Sequence, residues 1–117
     1  MIKLENEDDG KVYHTSLVCH LLDIEACRCT RYSERHDIVR DCIEFTADLA
    51  GQLNWLPTTC AYRRLAEGLP LLDWHPLISG RRDSVHEAGI SVRDRVIPVQ
   101  MVHEDEQTEH IVDWIET

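Results

Sequence analysis

Five cysteines, Cys19, Cys27, Cys29, Cys42 and Cys60, lie in the first sixty residues of a 117-residue chain. No apolar secretion-type leader precedes them, because Met1-Ile2-Lys3-Leu4-Glu5-Asn6-Glu7-Asp8-Asp9 turns acidic at once. A disulfide framework wants an oxidising compartment and usually an even number of thiols. Five thiols in a chain of this character point instead to metal thiolates, redox chemistry or packing. At least one thiol stands apart whichever holds.

The length predicts one small domain over residues 1–117, and folding at this size buries roughly two thirds of the unfolded surface. A modest core is therefore possible without staples. The hydrophobic fraction of 43% includes the five cysteines and only three Trp, three Tyr and one Phe. Much of the apolar content is small or aliphatic. No apolar run reaches the roughly 20 residues of a membrane helix, and a cytoplasmic location without membrane contact is expected. A formal charge of −10 repels a phosphate backbone over most of the surface, which disfavours nucleic acid as a partner. The basic pairs Arg63-Arg64 and Arg81-Arg82, with Arg93 and Arg95, read as solvated faces. Protein partner and oligomeric state have no signature in the chain.

β-favouring Val12, Tyr13 and Thr15 follow the turn signal Asp9-Gly10, so a hairpin is expected between Glu5 and Asp23. The stretch from Cys27 to Cys42 has weak periodicity, and its shape is expected to follow its thiols more than a regular element. Thr46 to Ala50 resembles a short capped helix ending near Gly51. A second helix is predicted from Cys60 to Glu67, capped by Thr58 or Thr59, with Pro57 ahead of it and Gly68 and Pro70 behind. Trp74 to Gly80 reads as a packed turn. Gly89 to Ile97 alternates like a half-buried strand, and Ile111 to Ile115 suits a terminal helix or an extended arm. The whole reads as a small α+β domain with short helices, a minor antiparallel sheet and long ordered loops around a cysteine site. Trp55, Leu56, Tyr62, Leu65, Trp74, Leu77, Ile90 and Val92 are the core candidates.

Seven residues separate Cys19 from Cys27, one separates Cys27 from Cys29, twelve precede Cys42 and seventeen more precede Cys60. Paired zinc knuckles and ferredoxin runs use shorter, regular loops. Cys27-Arg28-Cys29 is too tight for a knuckle, and spacing alone leaves ligation and packing both open. The histidines, His14, His20, His36, His75, His86, His103 and His110, form no i, i+4 pair with a flanking Glu. His75, between Trp74 and Pro76, reads as an imidazole hydrogen-bonded within a turn. His86-Glu87 resembles the start of a zinc-hydrolase motif only superficially.

Cys19-His20-Leu21-Leu22-Asp23, Cys27-Arg28-Cys29-Thr30-Arg31-Tyr32-Ser33-Glu34-Arg35 and Asp41-Cys42 resemble the YkgJ-type cysteine-cluster proteins, a zinc- or iron-chelating CxxCxxCC family. Trp55 to Gly68, Trp74-His75-Pro76-Leu77 and His86 to Arg93 look like its YcgN branch, so the resemblance covers nearly the whole chain. The family's cluster of four cysteines lies immediately before the segment that here starts at Met1, and residues 1–117 are truncated relative to that pattern. The resemblance implies that Cys19, Cys29 and Cys42, with Cys27 and Cys60, belong to a larger ligand set for zinc or iron, including an iron–sulfur cluster. Two alternatives stand beside chelation. One is an interaction module whose cysteines pack. The other is a remnant of a methylase-like, metal-dependent protein-modifying enzyme, although no glycine-rich S-adenosylmethionine loop and no nucleophile with an adjacent base is evident.

Overall fold

The turn between the first two strands shows how local chemistry builds this molecule, whose computed structural model describes all 117 residues. The Asn6 side-chain carbonyl accepts the Asp8 amide and the Asp9 carboxylate accepts the Lys11 amide, each at 2.8 Å. Gly10 supplies the left-handed φ of 70° that the reversal needs. Strand β1 (Lys3–Glu5) is thereby folded antiparallel onto β2 (Val12–His14), with Leu4 opposite Tyr13. The expected hairpin is present, but it starts at Lys3. Beyond it come β3 (Leu17–Val18) and the small hairpin of β4 (Leu22–Asp23) and β5 (Arg28–Cys29).

The architecture is α+β. Five short helices follow in order: α1 (Arg35–Ile38), α2 (Ala47–Ala50), α3 (Ala61–Ala66), α4 (Pro76–Ser79) and α5 (Ser84–Glu87). The last strand, β6 (Ile97–Pro98), pairs parallel with β3, in addition to the expected minor antiparallel pairing. Three 3₁₀ segments, Tyr32–Glu34, Val99–Met101 and Glu104–His110, complete the secondary structure. No helix is long and apolar enough to cross a membrane.

The chain divides into two compact units, Met1–Arg40 with Val92–Ile115, and Asp41–Ser91 with Glu116–Thr117. In the first, the segment His14 to Val18 is bonded along both edges. Ile2 N–H donates to Leu17 O at 2.7 Å and Thr15 N–H to Ile2 O at 3.2 Å on one side. On the other, Ser16 donates to His110 O, Val112 to His14 O and Ile97 to Ser16 O, all within 3.0 Å. Leu17 and Thr15 are fully buried there, with Val18 and Leu21 beside them. The buried Thr15 hydroxyl donates to Ile2 O at 2.6 Å, so its polarity is satisfied.

In the second unit the helices are capped locally. Thr46 Oγ1 accepts the Leu49 amide at 3.2 Å and starts α2, which ends at Gly51, as the sequence predicts. Cys60, and neither threonine, occupies the position before α3, and makes no side-chain cap. Gly68, with φ 75°, stops the chain after it. Arg63 gathers the ends of this unit: its guanidinium bonds Glu67 Oε1 at 2.8 Å, Leu56 O at 2.6 Å and Thr117 O at 2.5 Å.

Four expectations are corrected. Trp74 to Gly80 contains a helical turn, α4, because the His75 ring caps the Leu77 amide and Pro76 fits the first helical position. Gly89 to Ile97 is not a strand: Asp94 has φ 67°, Arg95 N–H turns back to Val92 O, and only Ile97 joins a ladder. The Cys27 to Cys42 stretch holds regular if brief elements, β5, a 3₁₀ turn and α1. Of the core candidates Leu56 is buried, and Trp55, Trp74, Ile90 and Val92 are half-buried. Tyr62, Leu65 and Leu77 are 52%, 60% and 80% exposed. Helices of four to six residues offer too little surface to bury those side chains. Ile111 bridges Thr15 in an extended arm, the second of the two forms expected of the terminus.

Candidate metal centre

All five cysteines are free and half-buried. Cys19 follows β3, where its Sγ lies 3.5 Å from the Leu21 amide and its carbonyl accepts from Leu22. Cys29 is in β5 opposite Leu22. Cys27 closes the loop joining β4 to β5, with its Sγ 3.3 Å from Ile24 O and a left-handed φ of 55°. These three belong to the first unit, whereas Cys42, ahead of α2, and Cys60, at the start of α3, belong to the second.

Nowhere do three or more His, Cys, Asp or Glu side chains come together in a way that could hold a metal ion. A closed structural zinc site needs four donors in tetrahedral array, and thiolate-held clusters need as many. The five cysteines make no such group of three by themselves. What they offer is a set of accessible soft donors, two of them on one hairpin.

Most of the histidines are engaged elsewhere or exposed. His75 Nδ1 accepts the Leu77 amide at 3.1 Å, which places the neutral ring's proton on Nε2 and matches the turn role expected of it. His103 does the same for the Asp105 amide. His14 is buried at the end of β2. His86 Nδ1 lies 2.7 Å from Ser91 Oγ, a nucleophile and base in contact that the sequence reading did not find. His86 lies in α5 and Ser91 just past it, where Ile90 and Ser91 both donate to Val85 O, so the contact is part of a helix-ending turn.

Several arginines pair within the chain. Arg81 makes a two-pronged bond to Glu87, and Arg93 reaches 68 residues back to Glu25. Arg31 and Ser33 hydrogen-bond the Glu34 carboxylate and hold it below the usual carboxylate range, although the group is fully exposed. Burial lowers the Lys3 ammonium below its ordinary value. A groove of about 320 Å³ in the second unit is walled by Ala61, Tyr62, Leu65, Leu71, His75 and Leu77. No sequence signal marks the Arg93 contact or this groove, since both depend on residues that folding brings together.

No protein-family model matches the chain, and no solved structure matches it. A UPF0260 protein of Marinobacter nauticus is 53% identical over 113 residues, covering 97% of this chain and 76% of the relative. One from Cellvibrio japonicus is 50% identical over 97% of this chain and 77% of its own length. Another from Azotobacter vinelandii is 49% identical over 94% and 74%. The chain thus spans about three quarters of the length of these relatives. Identity at this level across nearly every element places the chain in the UPF0260 family.

Proposed function

We propose that this chain is part of a cytoplasmic thiolate metal-binding protein that takes zinc or iron, the iron alone or as an iron–sulfur cluster. Cys19, Cys27, Cys29, Cys42 and Cys60 are its contribution, and donors outside these 117 residues complete the ligand set. The observation that carries this reading is the state of the cysteines. All five are unpaired and all five are half-buried. Packing cysteines are among the most fully buried residues, and a disulfide framework would pair them. The likeness to the YkgJ-type proteins and their YcgN branch adds support, because the four-cysteine cluster of that family lies ahead of the segment matched here. The UPF0260 relatives are longer than this chain by enough to hold such a cluster.

The test is metal content after anaerobic purification, on this chain and on the full-length Marinobacter nauticus relative in parallel. The longer protein should carry about one equivalent of zinc or iron per thiolate site, and its thiols should become reactive only after a chelator. Less than about a tenth of an equivalent in the longer protein, with every thiol titrating freely, overturns the reading.

A second reading, an interaction module, is favoured by the exposed apolar side chains around the Tyr62, Leu65 and Leu77 groove. Its thiols would react at rates that a chelator does not change.

A further inference from the structure

Two non-glycine residues have left-handed backbone, Cys27 and Asp94, and one side chain links their turns. The Arg93 guanidinium donates from Nε to Glu25 O at 2.9 Å and from Nη2 to the same carbonyl. Its Nε also lies 3.6 Å from the Glu25 carboxylate. Glu25 is in the four-residue loop between β4 and β5 that Cys27 ends. A loop of this kind normally places glycine at its left-handed position, since a side chain there is strained. Here the strained position carries a thiol. Inside the loop, the Asp23 carboxylate accepts the Ala26 amide at 3.1 Å, and Cys27 Sγ rests against Ile24 O. The β4–β5 pairing has only two residues per strand, too few to hold its loop unaided.

We infer that Arg93 is the positioning residue of the two-thiol hairpin: by gripping the Glu25 carbonyl it holds Cys27 in its left-handed conformation and sets Cys27 relative to Cys29. A forked guanidinium suits this role, because two donors on one carbonyl fix direction as well as distance, which an ammonium cannot do. The inference needs no metal, so it stands or falls separately from the ligand proposal.

The experiment follows alkylation of each cysteine in the intact 117-residue chain with iodoacetamide, read by peptide mass mapping. Arg93→Ala should speed Cys27 and Cys29 about tenfold, the loss expected when charged hydrogen bonds that close a loop are removed. Cys42 and Cys60 should stay within about twofold, as residues of the other unit would. Arg93→Lys, which keeps charge and most of the stem, should behave more like the alanine variant than the parent chain. Glu25→Gln should change little, because the anchor is the backbone carbonyl. Cys27→Gly relieves the strained backbone and should raise Tm by about 3 °C. Acceleration at Cys27 below about twofold, equal acceleration at Cys60, full protection in Arg93→Lys, or a lower Tm in Cys27→Gly each overturns the inference.

Discussion

In the unit of Met1–Arg40 with Val92–Ile115, the segment from His14 to Val18 takes backbone hydrogen bonds from residues as distant as Val112, and Leu17 and Thr15 have no exposed surface. In the unit of Asp41–Ser91 with Glu116–Thr117, helices of four to six residues are closed by caps and bonds within a few positions, and only Ala50 and Leu56 are buried. The first is organised by long-range pairing around a small dry centre. The second is organised by turn chemistry, with large apolar side chains left outside. Isolated helices this short are not stable in water, so the second unit depends on anchors such as Arg63, Thr46 and Ser84. Ser84 illustrates the pattern by donating to Trp74 O at 2.6 Å. A side chain's worth to the fold should therefore depend on its unit more than on its hydrophobicity.

Leu17→Ala should lose about 2–4 kcal/mol in urea unfolding, since the site has no solvent to fill the space left behind. A loss under about 1 kcal/mol would show that the ladder, and not its buried side chains, holds that unit. Thr46→Ala removes the cap of α2 and should cost about 1 kcal/mol, with faster amide exchange at Leu49 and Ala50 as the local reporter. Leu77→Ala should move stability by no more than about 0.5 kcal/mol, because the side chain is 80% exposed. A larger loss would mean that the groove it borders is part of the core. The smallest effect is electrostatic. Glu34 has a lowered folded value from Arg31 and Ser33, so its contribution is present above the unfolded carboxylate value and is lost as pH falls through the folded one. Arg31→Ala should return the Glu34 titration, followed by carboxyl carbon NMR, toward the ordinary range.

Local signals made two of the five helices legible. Thr46 and Gly51 mark α2, and Pro57 and Gly68 bracket α3, because these signals act within one turn of chain. The Asp9-Gly10 turn likewise revealed the first hairpin. Alternation misled at Gly89 to Ile97, where Ser91 is bonded to His86 and Asp94 adopts a left-handed turn. The core was misplaced for a related reason. Tyr62, Leu65 and Leu77 look inward by type, yet they stay more than half exposed even with the Phe45 ring edge-on to Tyr62, while Thr15, Leu17 and Val18 are buried and paired with residues some eighty to ninety-six positions away. The same distance effect hid Arg93, which no spacing rule connects to Glu25.

Residue chemistry by itself determined the α+β class, the places of α2 and α3, the acidic character and the presence of five thiols. Tertiary structure alone decided which strand is central, which apolar residues lie in the dry interior, that Arg93 bonds the Glu25 carbonyl in the loop between Leu22 and Cys29, and that no three metal-ligating side chains converge within these residues. Caps and turns are interactions of neighbours along the chain and can be read one residue after another. Burial and ligand geometry depend on which remote segments share a volume, and that is settled only when the backbone closes on itself.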